Sequence, residues 1–241
     1  MMKKSHNNYL LKKRQAVLRF AKAFVSEKGL TKNCLENISK KNGLDKDETD
    51  LLFPQGNIDL IKFALEQLNN DLEVYCRQID LIRLPIHKRI RKVLLSKISL
   101  MNKDKSFYRT LFLNSLIQKK NFSLSSQLYN SVDQLWFIAG DSSTDFNFYT
   151  KRLILSGIYS RVMLFFFNNN NQEELENILD ESLKRVSKIP EIKSKLKIFK
   201  EYLPKIANFV KNQQYVFLEV ELKFDQDLNA LAHILLVFQV T

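Results

Sequence analysis

Three histidines, two cysteines and scattered carboxylates are the side chains here with the chemistry to hold a metal or shuttle protons, and none is spaced to do so. His6, His87 and His233 lie far apart, and Cys34 and Cys76 form no ligand pair, whereas a zinc site needs four nitrogen or sulfur donors brought together. The adjacent Glu173 and Glu174 fit a solvated helix face. There is no glycine-rich phosphate loop and no Ser/His/Asp or Cys/His arrangement for nucleophilic catalysis. The expectation is a protein with no catalytic residues, no metal and no cofactor, whose cysteines are reduced, buried residues of an intracellular protein.

Apolar and basic surface is what the chain offers instead. Leu155, Ile158, Tyr159, Val162, Phe165 and Phe166 belong to a stretch that is apolar nearly all round. Such a helix is buried on every side, as packed core or as the wall of an apolar ligand cavity. Tyr159 is then either a structural tyrosine or a polar contact to the ligand. Asp145 and Tyr149 share a helix face, with Phe148 beside it. An aromatic cluster at a helix start suits a core, and equally a protein interface; Trp136 reads as core. Further on, Ile192, Leu196, Phe199, Leu203, Ile206 and Val210 form a seam at helical spacing, widened by Phe209, while Lys193, Lys195, Lys197, Lys200, Lys205 and Lys211 lie mostly elsewhere. That pattern serves a bundle helix. It also serves a helix lying in an anionic membrane interface, where each lysine adds about 1 kcal/mol of attraction. Pro204 predicts a kink in it.

These residues must be positioned by helices. Five glycines and four prolines in 241 residues leave few breakers. Apolar periodicity predicts a first helix over Tyr9–Lys28 closed by Gly29, a short helix capped by Asn33, and a third over Asp45–Leu52. The loop Phe53-Pro54-Gln55-Gly56-Asn57 opens a long helix. Pro85 is placed to start another, with a basic face of His87, Lys88, Arg89, Arg91, Lys92 and Lys97. Helices near 107–118 and 123–138, one from Asp145 to about Phe167, one over Gln172–Ser187 and one over Ile192–Asn212 follow. Residues 214–241 are unassigned: Tyr215, Phe217, Val220, Leu222 and Phe224 suit a strand, and Leu228–Phe238 is too short to span a bilayer. The formal charge of +12 points to a nucleic acid, an anionic membrane or an acidic protein without choosing among them. The first 26 residues hold seven Lys/Arg and no acid but no continuous apolar run, so no secretory signal is expected. Abundant Lys, Asn and Ile lean towards a bacterial cytoplasm.

The first 75 residues resemble the helix-turn-helix domain of TetR-type regulators: a first helix ending at Gly29, Leu35-Glu36-Asn37-Ile38, Gly43-Leu44 in the turn, and Phe53-Pro54 before a long helix. In such a domain the third helix would enter the major groove. Here it carries Asp45, Asp47, Glu48 and Asp50 against one Lys46, the wrong sign for a row of phosphates. The expectation is a TetR-like scaffold that binds no nucleic acid; a TetR-type transcriptional regulator with a hydrophobic effector is the alternative.

A second resemblance is sharper. The stretch Val132–Arg152, containing Leu135-Trp136-Phe137-Ile138-Ala139-Gly140-Asp141-Ser142-Ser143-Thr144-Asp145-Phe146-Asn147-Phe148-Tyr149, resembles the signature of the ubiquinone (coenzyme Q) biosynthesis accessory family, continuing through Leu155, Ile158-Tyr159 and Val162-Met163. That resemblance implies an all-α, TetR-like protein: residues 1–56 a helix-turn-helix-type domain, 57–213 a lipid-binding helical domain, and 214–241 a tail that departs from the family. It implies a bound isoprenoid lipid or quinone intermediate along Leu155, Ile158, Tyr159, Val162, Phe165 and Phe166. It implies a patch at Leu135, Asp145, Phe148 and Tyr149 facing a demethoxyubiquinone hydroxylase; Leu135 and Phe148 stand where the family usually has Met and Trp. Membrane contact falls to Leu196, Phe199, Leu203, Ile206 and Val210. A homodimer is a further implication. The implied location is the inner-membrane surface, on the bacterial cytoplasmic side or, alternatively, in the mitochondrial matrix.

Overall fold

A computed structural model describes residues 2–117, 122–141 and 146–187. The described residues form helices and no strand: α1 (Met2–Lys28), α2 (Cys34–Lys41), α3 (Lys46–Leu52), α4 (Asn57–Arg77), α5 (Ile86–Asn102), α6 (Lys105–Ile117), α7 (Phe122–Ile138), α8 (Phe146–Asn168) and α9 (Gln172–Ser187). The expected all-α class therefore holds for them. None is long and apolar enough to cross a membrane. The seam at 192–210 and the tail at 214–241 lie outside the described residues.

Local chemistry sets the element boundaries. Gly29 ends α1 with φ 72°, a left-handed turn that a side chain would resist. Asn33 precedes α2 as expected but makes no side-chain cap, because its backbone (φ −97°, ψ 19°) is not in the extended conformation capping requires. The cap comes from α4 instead. Asn57 Oδ1 accepts from Leu35 N at 3.1 Å, and its Nδ2 donates to Thr31 O at 2.8 Å. One amide thereby ties the start of α4 to the start of α2. α3 is capped locally, Asp45 accepting from Glu48 N at 2.7 Å. Pro85 occupies the extended cap position of α5, one place before the first helical turn where it was expected.

The N-terminal helices pack around α1 and feed into α4 through Phe53, which meets Phe63 edge-on at 6.3 Å. The Arg14 guanidinium lies over both rings, 5.1 and 4.3 Å from their centroids. Beyond α4, the helices fold back on one another: α5 and α7 on α4, α6 on α1 and α7, α8 on α7, and α9 on α8 and α5. The Arg91 guanidinium of α5 donates to Asp180 and Glu176 of α9 at 2.5 and 2.8 Å. A continuous apolar core runs from Val17 and Ala21 in α1 to Leu175 and Leu179 in α9.

Asn57→Ala should lower the unfolding free energy by about 1–2 kcal/mol, since it orphans the α2 N-terminus. Asn33→Ala should change it by less than about 0.5 kcal/mol. Urea titrations of the two variants check this; equal losses would refute the assignment of the cap to Asn57.

Candidate functional site

Where α7 and α8 pack together, charges gather around a buried arginine. Periodicity turns Val132 and Leu135 of α7 inward, with Ala139 just after it, together with Leu155, Ile158, Tyr159, Val162 and Phe166 of α8. Arg152 lies one turn before this stripe and is only 5% exposed. A guanidinium so placed must be paired. Its Nε donates to Asp133 Oδ1 at 2.5 Å, and its Nη1 donates to Asp141 Oδ2 at 3.4 Å and to Phe148 O at 3.1 Å. It also lies over the Phe148 ring, 3.2 Å from the centroid. The Asp141 carboxylate, nearly fully buried, accepts from Lys151 Nζ at 2.7 Å as well. Lys151 Nζ stands 5.6 Å from the Trp136 ring, and Trp136 Nε1 donates to Lys151 O at 3.2 Å. Chemically this is a closed circuit: each charge is committed to a partner. It braces α8 against α7.

Leu135 is fully buried, which corrects its expected place on an exposed patch: it shares the inward stripe of Val132 and Ala139. Phe148 is half-buried beneath Arg152; Tyr149 lies on α8 with its side chain outside the described residues, and Asp145 itself lies outside the described residues. Trp136, expected in the core, is half-buried against it, its indole hydrogen-bonded to Lys151 O, and its neighbour Phe137 is exposed. The expected membrane residues Leu196, Phe199, Leu203, Ile206 and Val210 lie outside the described residues.

The expected lipid-lining residues do come together. Leu155, Ile158, Tyr159, Val162 and Phe166 are buried, and Phe165 is half-buried against the same core. Phe112 of α6 meets Tyr159 at 6.4 Å and Phe167 at 5.5 Å. They pack as core against α6, α7 and α9. Two open clefts, of about 440 and 510 Å³, run instead along α1, one lined by Phe24, Lys28 and Lys41 and the other by Arg19, Lys22 and Lys103.

Sequence patterning missed a second polar group in this core. Lys97, expected on the basic face of α5, is fully buried. α5 packs against α4 and α7, and the helical row that begins with Ile90, Val93 and Leu94 carries Lys97 in with it. Its Nζ donates to Asn69 Oδ1 of α4 at 3.0 Å and stands 5.4 Å from the Tyr159 ring of α8. Burial pushes the Lys97 amine down to about 7. Burial likewise raises the Tyr159 phenol, which shares a hydrogen bond with Ser131 of α7. Four helices thus meet at Asn69, Lys97, Ser131 and Tyr159. The nearest sequence signal is the helical spacing of Lys97 from Ile90, Val93, Leu94 and Met101. Cys34 and Cys76 are buried thiols, Cys34 pushed up to about 11 by burial. Among the described residues no three His, Cys, Asp or Glu side chains gather into a possible metal site.

Lys97 makes stability depend on pH with a definite sign. The unfolded amine titrates near 10.5 and the folded one near 7, so between these values the unfolded chain binds more protons and stability rises with pH. Below pH 7 both forms are protonated and this contribution is flat, at its least favourable. Lys97→Met should stabilise the protein by roughly 2–4 kcal/mol at pH 7. It should also remove the rise in stability between pH 7 and 10, read as the difference between two sets of chemical denaturation curves. A variant no more stable than the unaltered chain would refute the burial of a costly amine.

Residues 123–190, the span that contains α7, α8 and α9, match the family model named COQ9. Over 53 residues the chain is 47% identical to the rat protein named ubiquinone biosynthesis protein COQ9, mitochondrial; these are 22% of this chain and 17% of the rat protein. The human protein of that name is 45% identical over 53 residues, again 22% and 17% of the two chains. The bovine one is 54% identical over 37 residues, 15% of this chain and 12% of that protein. The matches span less than a fifth of these relatives' length.

Proposed function

We propose, starting from a COQ9-family segment that holds α7, α8 and α9, that this chain is a lipid-binding accessory protein of ubiquinone biosynthesis. The match over residues 123–190 carries the reading, because it falls on the helices that form the apolar interior and the Arg152 brace. The relatives are named for ubiquinone biosynthesis. On this reading the apolar side of α8, from Leu155 to Phe166, takes up the prenyl chain of an isoprenoid quinone intermediate. Such a tail is insoluble in water and needs apolar walls with few hydrogen-bonding groups. The helices around α8 part to admit it, and Tyr159 and Lys97 are the polar groups nearest its path. The protein performs no chemistry on the ring; it hands it to a hydroxylase of the demethoxyubiquinone type. Phe148 and Tyr149, with Asp145, make the docking patch. The seam from Leu196 to Val210 rests on the bilayer.

The N-terminal helices are read as a TetR-like scaffold without an operator site. The acids of α3 support this. Asp45 caps the helix and Glu48 accepts from Lys13 of α1 at 2.5 Å, so both serve the fold. The remaining Asp47 and Asp50 would repel a phosphate backbone. The relatives are named as mitochondrial proteins, which favours the matrix face of the inner membrane over a bacterial cytoplasm.

The test is organic extraction of the purified full chain followed by mass spectrometry. Isoprenoid quinones or their precursors should co-purify at a fixed ratio to protein. Val162→Trp, which fills the apolar interior beside α8, should lower that ratio at least about tenfold while the chain stays helical. An extract free of isoprenoids, from a folded chain offered them in detergent, would sink the reading.

A further inference from the structure

The loop between α4 and α5 exposes its apolar residues. Ile82 is 84% exposed and Ile86, at the first position of α5, is exposed too. Leaving two isoleucines in water forfeits the free energy that burying them would gain. Pro85 stiffens the loop, and Arg89 holds it. The guanidinium donates from Nε to Leu84 O at 2.7 Å, from Nη2 to Ile82 O at 2.7 Å and from Nη1 to Ala139 O at 3.2 Å. Ala139 directly follows the last residue of α7, so Arg89 ties the loop tip to that end. A Cβ on Gly140, whose φ is 82°, would come within 3.1 Å of Arg89 Nη1, so the approach is close. Two residues before Ala139 stands Phe137, 64% exposed. One guanidinium therefore holds the loop that carries Ile82 and Ile86 against the end of the helix that carries Phe137.

Charge and backbone chemistry select the occupant. α5 contains no acid, and His87, Lys88 and Lys92 on it are exposed. Arg83, at the tip, is paired with Asp80 at 3.1 Å. Apolar tips beside exposed lysines match an interface of acyl chains under anionic headgroups. Entering such an interface strips water from backbone carbonyls, which is costly unless they are already bonded. Arg89 has satisfied those of Ile82, Leu84 and Ala139 in advance.

We propose that Ile82, Ile86 and Phe137, on a loop and a helix that Arg89 ties together, form with Arg83, His87, Lys88 and Lys92 a docking surface for an anionic lipid bilayer. It deepens the membrane contact proposed above but uses a different surface from the seam at 196–210. Its test does not depend on a bound isoprenoid.

The full chain is labelled with an environment-sensitive fluorophore through Ile82→Cys; Cys34 and Cys76 are buried and stay unlabelled. Emission should shift to the blue on adding phosphatidylcholine vesicles that contain phosphatidylglycerol, and stay unchanged with phosphatidylcholine alone. In sedimentation with the anionic vesicles, the double variant Ile82→Ser, Phe137→Ser should partition at least about tenfold less than the unaltered chain. Lys88→Glu should weaken partition by about fivefold or more. All these side chains are exposed, so helicity and the isoprenoid content of the extract should not change. Unshifted emission overturns the proposal, including the case in which the same face serves a protein partner. Unaltered partition of the double variant, or equal binding to neutral vesicles, overturns it too. An extract without isoprenoids would sink the lipid-carrier reading and leave these outcomes standing.

Discussion

A guanidinium sealed in the interior must find its counter-charges or unfold its surroundings, and the packing of α8 against α7 answers that requirement. Arg152 sits between Asp133 on α7 and Asp141 just beyond it. Removing one partner of a buried pair leaves the other stranded, typically at 3–5 kcal/mol. The pairing therefore holds α8 against α7. The phenyl ring of Phe148 and the indole of Trp136 are held by the same cluster, through the Arg152 guanidinium and the Lys151 carbonyl. Aromatic surface at this corner is thus rigid, which reduces the ordering cost of docking anything against it.

Two cations of α5 show how a single helix divides its charges. Arg89 reaches backwards to three main-chain carbonyls and holds a loop and a helix end together. Lys97, two turns on, is enclosed among α4, α7 and α8 with an amide and two hydroxyl-bearing residues for company. The first sits where its charge satisfies the backbone at the surface. The second is carried inside, where its charge is disfavoured and the amine loses its proton near neutrality.

Neither cluster resembles a reaction centre. The carboxylates of Asp133 and Asp141 are engaged by cations, and the buried thiols are pushed towards the protonated form. The apolar packing around α8 and the exposed isoleucines at the α4–α5 loop are the observations on which the two proposals rest.

Helical class, most helix boundaries and the burial of the α8 face were legible in the sequence. Apolar spacing reports directly which side of a helix leaves water, and Gly29, Gly56 and Gly140 mark turns that demand positive φ. The Val132–Arg152 string carries the family resemblance, and it falls within the residues that match the COQ9 model. Other features depended on which helix ends up beside which. The cap of α2 comes from Asn57, more than twenty residues away, because the Asn33 backbone does not take up the capping conformation. Leu135 turned out to be core where a surface patch was expected, because its neighbours on the inward row are equally apolar. Lys97 reads as one more lysine on a basic helix until α4, α7 and α8 close over it. A sequence states the periodicity of one helix; only the packing of several decides whether a side chain at the edge of the stripe meets water or protein.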